Sequence, residues 1–140
     1  MLNLLRNMKR KFKFIDITTA DVAFEAYGKT LEELFENAAL AMFEVMVNTK
    51  KVKPKEKREI IVQGEDLKAL LFEWLNELLF YYGAEGLVFS KFKVEIHQPQ
   101  MLLTGICEGE PVSQKKHEVK TEVKAATYHK MKIEKTKAIL

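Results

Sequence analysis

The alternation of apolar and polar residues near the start of the chain predicts two β-strands. Apolar and charged side chains are interleaved over residues 12–17, and apolar side chains alternate again over residues 22–27. A period of two is typical of a half-buried strand. Residues 18–21 lie between the two patterns and predict a turn, and Gly28 is expected to end the second strand.

Two stretches with apolar residues spaced by three or four predict amphipathic helices. Thr30 is expected to open the first helix, because Glu33 completes a capping box with it, and the pattern ends near Asn48. Asp66 is a suitable N-cap for the second helix, and Gly83 is expected to stop it. The apolar stripes of the two helices consist of Leu31, Leu34, Phe35, Ala38, Met42, Val45 and Met46, and of Leu67, Leu70, Leu71, Trp74, Leu75, Leu78, Leu79 and Tyr82.

The rest of the pattern consists mainly of strands. It predicts a lysine-rich loop over residues 49–58, a short strand over 60–62 and a hairpin over 91–107. A polar loop over 108–116 and one or two final strands over 122–133 follow. Because strands follow one another at the end instead of alternating with helices, the order favours an α+β fold over a doubly wound sheet. We expect a two-layer fold, with both amphipathic helices packed on one face of a largely antiparallel sheet.

The length of 140 residues predicts one domain. Residues 1–10 are expected to be a disordered or non-native N-terminal extension, with Met8 as an alternative start, and residues 11–140 to form the domain. Neither a membrane-spanning run of about 18 apolar residues nor the apolar core of a signal peptide is present, which predicts a cytoplasmic protein. Cys107 is the only cysteine, so an internal disulfide is excluded, and its apolar neighbours predict a small buried side chain.

The net charge of +3 conceals large blocks of opposite sign. Residues 21–48 and 59–86 each carry a net charge of −5, whereas residues 49–58 and 111–140 each carry +5. Such blocks favour a protein that presents acidic and basic faces to partners, with ordinary solvated faces as the alternative.

Few residues are arranged for catalysis. The glycines do not form a phosphate-binding loop, and no nucleophile elbow surrounds either serine. His97, His117 and His129 are separated in sequence and are expected to have structural or surface roles, although His117 and His129 would meet if the last segments fold back.

The most informative carboxylate is Asp21, which begins an apolar strand at the edge of the predicted sheet. It is expected either to cap a turn or to face a metal ion. Glu108 and Glu110 flank Gly109 and place two more carboxylates at the other end of the sheet. Oxygen ligands of this kind suit Ca²⁺ or Mg²⁺.

Several segments resemble the signatures of the archease family and occur in the family's order. The resemblance extends from about residue 11 to residue 133. The segments read TADV, AYGKTLEELFENAA, LLFEWLNELL, GE and EVKAATYH, at residues 19–22, 26–39, 70–79, 109–110 and 122–129.

This resemblance implies a small cytoplasmic protein that is not itself an enzyme. It implies an activator of the RtcB-type RNA ligase, which joins 2′,3′-cyclic-phosphate or 3′-phosphate ends to 5′-hydroxyl ends, as in tRNA splicing. Such an activator promotes guanylylation of the ligase and multiple turnover, and it meets tRNA or other RNA only indirectly, through the ligase.

The resemblance also implies a divalent metal site, with calcium as the expected ion. The family's ligands are the Asp of the TAD motif and an Asp-aliphatic pair at the C-terminus. Only the first carries over, onto Asp21. Thr18 stands where the family usually has His, and Ile139 and Leu140 stand where the C-terminal pair is expected, so the donor set is incomplete.

Two other functions are compatible with the residues. An RNA-binding or chaperone-like module without ligase-specific activity would use the lysine-rich loop and tail, although few aromatic residues for base stacking lie there. A metal-dependent hydrolase would use Asp21, Glu108, Glu110 and His117, but no pattern brings these groups to one place.

Overall fold

The computed structural model describes residues 11–17, 22–120, 132–134 and 137–139. Its elements, in chain order, are β1 (Phe12–Ile17), β2 (Val22–Tyr27), α1 (Leu31–Met46), a 3-10 helix (Thr49–Lys51), β3 (Glu56–Gln63), α2 (Leu67–Glu85), β4 (Leu87–His97), β5 (Leu102–Pro111), α3 (Gln114–His117), β6 (Lys132–Glu134) and β7 (Lys137–Ile139). The predicted strand pair at the start, both amphipathic helices and the later hairpin are therefore all present.

Every strand pairing in the described chain is antiparallel, which confirms the predicted α+β class. The strands form two sheets: a four-stranded sheet in the order β1-β2-β7-β6 and a three-stranded sheet in the order β3-β5-β4. Helix α1 packs against β1, β2 and β7 of the first sheet and against β4 of the second. One helix therefore holds the two sheets together, whereas α2 packs mainly on the three-stranded sheet.

Helix α1 begins where the capping box predicts. The side-chain oxygen of Thr30 accepts a hydrogen bond from the Glu33 amide at 3.1 Å, and the Glu33 carboxylate accepts one from the Lys29 amide at 3.4 Å. The buried side-chain amide of Asn37 donates to the carbonyl oxygen of Tyr27 at 2.7 Å. This bond ties the helix to the end of β2, so the strand and the helix are fixed relative to each other.

Trp74 of α2 fixes the packing between the two helices and the three-stranded sheet. The residue is fully buried, and its indole N–H donates to the carbonyl oxygen of Phe35 in α1 at 3.0 Å. The indole ring lies directly over Gly105 in β5 and contacts Phe92 of β4 edge to face, with ring centroids 6.2 Å apart. Gly105 is required here because any side chain at that position would occupy the space of the ring.

Helix α2 ends later than the sequence predicts. It continues through Gly83 to Glu85, and Gly86 adopts the left-handed conformation (φ 67°) that ends it. The Gly86 amide donates to the carbonyl oxygen of Tyr82. The prediction of a stop at Gly83 is wrong because one glycine in an otherwise apolar helix costs only about 1 kcal/mol, which packing of the stripe offsets.

Two segments predicted as loops are partly ordered into strands and helices. β3 begins at Glu56, inside the expected lysine-rich loop, and β5 extends into the expected polar loop as far as Pro111. Their charged residues conceal strand periodicity, but they are paired across the sheet: Lys57 and Lys91 lie on either side of Glu108. The short helix α3 also lies within the segment expected to be a polar loop.

Glu36 of α1 covers the free edge of β4. Its carboxylate accepts a hydrogen bond from the Val94 amide at 2.9 Å. Burial raises the pKa of Glu36, and the bond from Val94 opposes that rise. One backbone donor on this edge of the sheet is thus used within the molecule.

Several predictions fall on parts of the chain that the structure leaves undescribed. The N-terminal extension over residues 1–10, the turn at residues 18–21 and most of the final strand segment over residues 122–133 lie outside the described residues. Within the described part, no helix is long and apolar enough to cross a membrane.

We predict that Gly105→Ala destabilises the protein by about 1–3 kcal/mol, because the added methyl group overpacks the core. A Cβ at this position would lie 2.5 Å from Cζ3 of Trp74. Urea denaturation monitored by tryptophan fluorescence measures the loss.

The matched control is Gly83→Ala, where an added Cβ meets nothing within 4 Å and an exposed helical position gains a better helix former. The expected gain is about 0.5–1 kcal/mol. Equal effects of the two substitutions would contradict the packing of Trp74 on Gly105.

Candidate functional site

Two regions of the molecule contain the residues that the sequence singles out. The first is the end of the four-stranded sheet at which β2 begins. β7 runs antiparallel to β2, with Lys137 opposite Tyr27 and Ile139 opposite Glu25. β7 therefore runs towards Val22, the first residue of β2. The candidate metal ligand Asp21 lies outside the described residues, so its role as a ligand stays a prediction.

The second region is a cluster around Glu110, close to the end of β5. The Glu110 side chain is 6% exposed. Its Oε1 accepts a hydrogen bond from Nζ of Lys116 at 2.8 Å, and its Oε2 accepts one from the backbone amide of Lys53 at 2.7 Å. His117 Nε2 lies 3.0 Å from the same Oε2, and Lys55 Nζ lies 3.9 Å from Oε1. We refer to these five residues as the Glu110 cluster.

His117 is fully buried, and its hydrogen bonds define the state of its ring. Nδ1 accepts a hydrogen bond from the Ser113 amide at 2.9 Å, so in the neutral ring the proton lies on Nε2 and is donated to Glu110. The carbonyl oxygen of His117 accepts a further bond from the Asn48 amide at 2.8 Å. The expected structural role of His117 agrees with these contacts.

The electrostatics of the cluster favour an ionised Glu110. Burial alone would raise the pKa of its carboxyl group, but the hydrogen bonds from Lys116, the Lys53 amide and His117 outweigh that effect and lower the pKa to about 2. A carboxylate that accepts several donors is stabilised in its charged form. Glu110 therefore supplies a fixed negative charge beside three lysines.

This arrangement suits a structural role, in which Glu110 joins separate segments of the chain, better than a metal site. Both oxygens of Glu110 already accept hydrogen bonds, so they are poorly placed to coordinate a cation. Glu108 does not join the cluster, because it lies between Lys57 and Lys91 in the strand register. In the described part of the chain, no group of three or more His, Cys, Asp or Glu side chains could hold a metal ion. The predicted approach of His129 to His117 lies outside the described residues.

The candidate nucleophiles that the structure describes are engaged elsewhere. Cys107 is buried, as the sequence predicts, and burial raises the pKa of its thiol to about 12, so it stays protonated. The hydroxyl group of Ser90 donates to the Val52 carbonyl oxygen at 2.9 Å, and that of Ser113 accepts from the Lys116 amide at 3.4 Å. None of these groups is activated by a neighbouring base.

An open pocket of about 480 Å³ lies between β1, α1 and β4. Two of its polar side chains are bonded to each other, since Oε2 of Glu44 accepts hydrogen bonds from both the amide and the hydroxyl group of Thr49. Leu40 and Phe12 supply apolar contacts there. The pocket has no pair of groups placed for acid–base chemistry.

The sequence does not predict the Glu110 cluster as a unit. The sequence groups Glu110 with Glu108, two residues away, whereas in the structure Glu110 accepts a hydrogen bond from the amide of Lys53, far away along the chain. The one hint in the sequence is a Gly-Glu pair near the end of a strand, with a histidine seven residues after the glutamate. Such a signal is too weak to identify the partners.

The whole described fold has counterparts among known proteins. The model of the Archease protein family (MTH1598/TM1083) matches residues 12–140. The chain is 51% identical to protein archease of Sulfurisphaera tokodaii over 125 residues, which is 89% of either chain. It is 54% identical to protein archease of Thermococcus kodakarensis over 120 residues, which is 84% of either chain.

The fold is also similar to a solved structure. The solution structure of Methanobacterium thermoautotrophicum protein 1598 superposes with a TM-score of 0.76 and 46% sequence identity. The match covers 92% of this chain and 94% of that one. The likeness therefore extends over both sheets and both long helices.

We predict that Glu110→Gln lowers the free energy of unfolding at pH 7 by about 2–4 kcal/mol, because it leaves buried donors with a weaker acceptor. The pKa of Glu110 is lower in the folded protein than its ordinary value of 4.5. The stabilisation is therefore complete above that value and is lost as the pH falls towards 2. Urea denaturation at pH 7 and at pH 3 measures the difference between variant and wild type, which is expected to shrink at pH 3.

The control for this prediction is Glu118→Gln, which removes an exposed ion pair with Lys51 and is expected to cost less than about 1 kcal/mol. A pH-independent difference between wild type and Glu110→Gln would contradict the ionised state assigned to Glu110.

Proposed function

The chain belongs to the archease family, and on that basis we propose that it activates an RtcB-type RNA ligase in tRNA splicing. The ligase joins 2′,3′-cyclic-phosphate or 3′-phosphate ends to 5′-hydroxyl ends, and the activator promotes its guanylylation and multiple turnover. The observation that carries this proposal is the family match over residues 12–140. We place the protein in the cytoplasm, together with the ligase.

A role as a partner protein, without catalysis of its own, agrees with how its reactive groups are used. Cys107 is buried and protonated, His117 is enclosed by the Glu110 cluster, and the hydroxyl group of Ser90 is committed to the backbone. Each of these groups contributes to the fold. We therefore propose that the chain acts on the ligase through its surface.

Asp21 is the residue that we propose for direct contact with the ligase's nucleotide site, with or without a bound cation. The direction of β7 supports this position, because β7 runs towards the end of β2 that follows Asp21 in sequence. In the family, carboxylates from these two segments form the metal site.

The donor set for such a metal fits only in part. Position 139, where the family pattern would have Asp, carries the alkyl side chain of isoleucine, so the carboxylate that matches the pattern here is Asp21. Calcium takes about six to eight oxygen ligands, and one carboxylate alone makes a weak site. We propose that any divalent cation at Asp21, with calcium as the expected ion, is completed by oxygens from the ligase and from water.

The first test is a reconstituted ligation reaction with the cognate ligase, GTP and RNA that carries a 3′-phosphate or 2′,3′-cyclic phosphate. Substoichiometric amounts of this protein are expected to convert a single-turnover reaction into a multiple-turnover one and to speed ligase guanylylation. Unchanged turnover and unchanged guanylylation would show that the proposal is wrong.

The second test is Asp21→Ala in the same reaction. We expect loss of activation by at least about 100-fold, a loss typical of removing a charged group from the reacting centre, with an unchanged circular dichroism spectrum. Glu65→Ala, at an exposed acidic residue, serves as the matched control and is expected to retain activity. Full activity of Asp21→Ala would remove this residue from the mechanism.

A further inference from the structure

We propose that a lysine-rich surface on this protein binds the phosphate backbone of RNA directly. This lysine surface consists of Lys50, Lys51, Lys53, Lys55, Lys115, Lys116 and Lys120. The inference goes beyond the proposed function, in which RNA is met only through the ligase. It also stands apart from that function, because it requires neither the ligase nor Asp21.

Two segments that are distant in sequence form this surface, and backbone contacts hold them together. The Asn48 amide donates to the carbonyl oxygen of His117 at 2.8 Å, and the Lys120 amide donates to that of Met46 at 2.7 Å. The Lys53 amide donates to the carboxylate of Glu110, which lies at the end of β5, just before the second segment. The segment after α1 and the segment around α3 are therefore fixed side by side.

Three acidic side chains lie within or beside this surface, and they leave its seven lysines in excess. The carboxylate of Glu44 accepts hydrogen bonds from the amide and the hydroxyl group of Thr49. Glu118 pairs with Lys51 at 2.6 Å, and Glu110 pairs with Lys116 at 2.8 Å. Lys55 lies near the same oxygen of Glu110 as Lys116, so one carboxylate serves two ammonium groups. The buried carboxylate reduces the repulsion between these lysines without covering their exposed side.

Four lysines of the surface have no ion-pair partner among the described residues. One of them, Lys120, donates to the carbonyl oxygen of Glu44 at 3.5 Å. The other three, Lys50, Lys53 and Lys115, are exposed, and no described acidic side chain pairs with any of them. Each therefore presents a hydrated ammonium group to solvent. Several such groups on one rigid surface form an electrostatic site for a polyanion.

The composition of the surface favours RNA over an acidic protein as the partner. Residues 49–55 and 113–120 contain no Phe, Tyr, Trp or Arg. Protein interfaces are enriched in aromatic residues and Arg and depleted in Lys. Lysine ammonium groups act as point charges for phosphate, and a surface without aromatic side chains cannot stack bases. We therefore expect binding through the backbone, with little dependence on base sequence.

The test measures the affinity of the full chain alone for a fluorescein-labelled oligouridylate, by fluorescence anisotropy over a range of salt concentrations. Each phosphate contact with a single strand contributes about 0.7 to the slope of log affinity against log salt. We expect a slope between about −2 and −4, as for three to five contacts. The absence of salt-dependent binding would overturn the proposal.

The variant that tests the surface is the triple substitution Lys50→Gln, Lys53→Gln and Lys115→Gln. It leaves the backbone amide of Lys53 available to Glu110, so the cluster stays intact. Loss of three contacts is expected to reduce the slope by about 2 and to weaken binding at 0.1 M salt by about 10- to 100-fold.

The matched control removes the same charge elsewhere, with Lys57→Gln, Lys91→Gln and Lys93→Gln on exposed positions of the three-stranded sheet. A change below about 3-fold is expected there, because salt screens distant charges. Equal losses of RNA affinity in both variants would show that only the net charge matters, and would overturn the proposed binding surface. Polyglutamate that binds as tightly as RNA would overturn it in favour of an acidic protein partner.

Thermal unfolding of both triple variants verifies that they fold as the wild type does, since all six positions are exposed. The assay contains no ligase, so its failure leaves the proposed activation standing. Failure of activation in the reconstituted reaction would, in turn, leave a measured RNA affinity unaffected.

Discussion

The position of one indole ring constrains most of this structure. Trp74 has to satisfy its N–H on the backbone of α1 while its ring covers a glycine in β5. A buried indole N–H without an acceptor would lower the free energy of unfolding by about 1–3 kcal/mol. The ring can therefore cover the glycine at no such cost only where its N–H also reaches the backbone of α1. The two contacts fix α2 between the first helix and the three-stranded sheet. The end of β5, which carries Glu110, and the helix that supports β2 are positioned as a consequence.

The sequence predicts those elements whose signal is local. The helices follow from spacing by three or four and from the caps at Thr30 and Asp66, and both caps are present in the structure. The sequence predicts the stop of α2 at Gly83, whereas the helix continues to Glu85, because the left-handed backbone conformation that ends it occurs at Gly86.

The sequence predicts residues 49–55 as a loop, but it does not predict where that loop lies, because the loop is held by distant contacts. Residues 49–55 contain only a short 3-10 helix, and their position depends on Glu110 and His117, which are more than 50 residues away. No local period encodes such a contact. The prediction for Asp21 rests on its position before an apolar strand and on a family resemblance, and neither supplies the geometry of a site. The family itself is confirmed by the comparisons, whereas the ligand role of Asp21 stays a prediction.

The charge blocks have a different meaning in three dimensions from the one they have along the chain. The described residues 49–55 and 113–120, which belong to the two basic blocks, meet on one surface, although an acidic block that contains α2 separates them along the chain. Holding like charges together costs energy, and the ionised Glu110 offsets part of that cost from below the surface. The same carboxylate therefore serves both the local fold and the electrostatic character of the surface.

The hydrogen bond between Glu36 and Val94 has a consequence for how molecules of this protein meet one another. An open strand edge is a template on which a second chain can add, and this is a common route to aggregation. On edge strand β4, a carboxylate from α1 accepts the hydrogen bond of one backbone amide. The opposite edge strand, β3, carries the charged run Glu56, Lys57, Arg58 and Glu59. A neighbouring molecule would have to displace an anion on one side or bury charges on the other. The three-stranded sheet is thereby less open to edge-to-edge association between molecules.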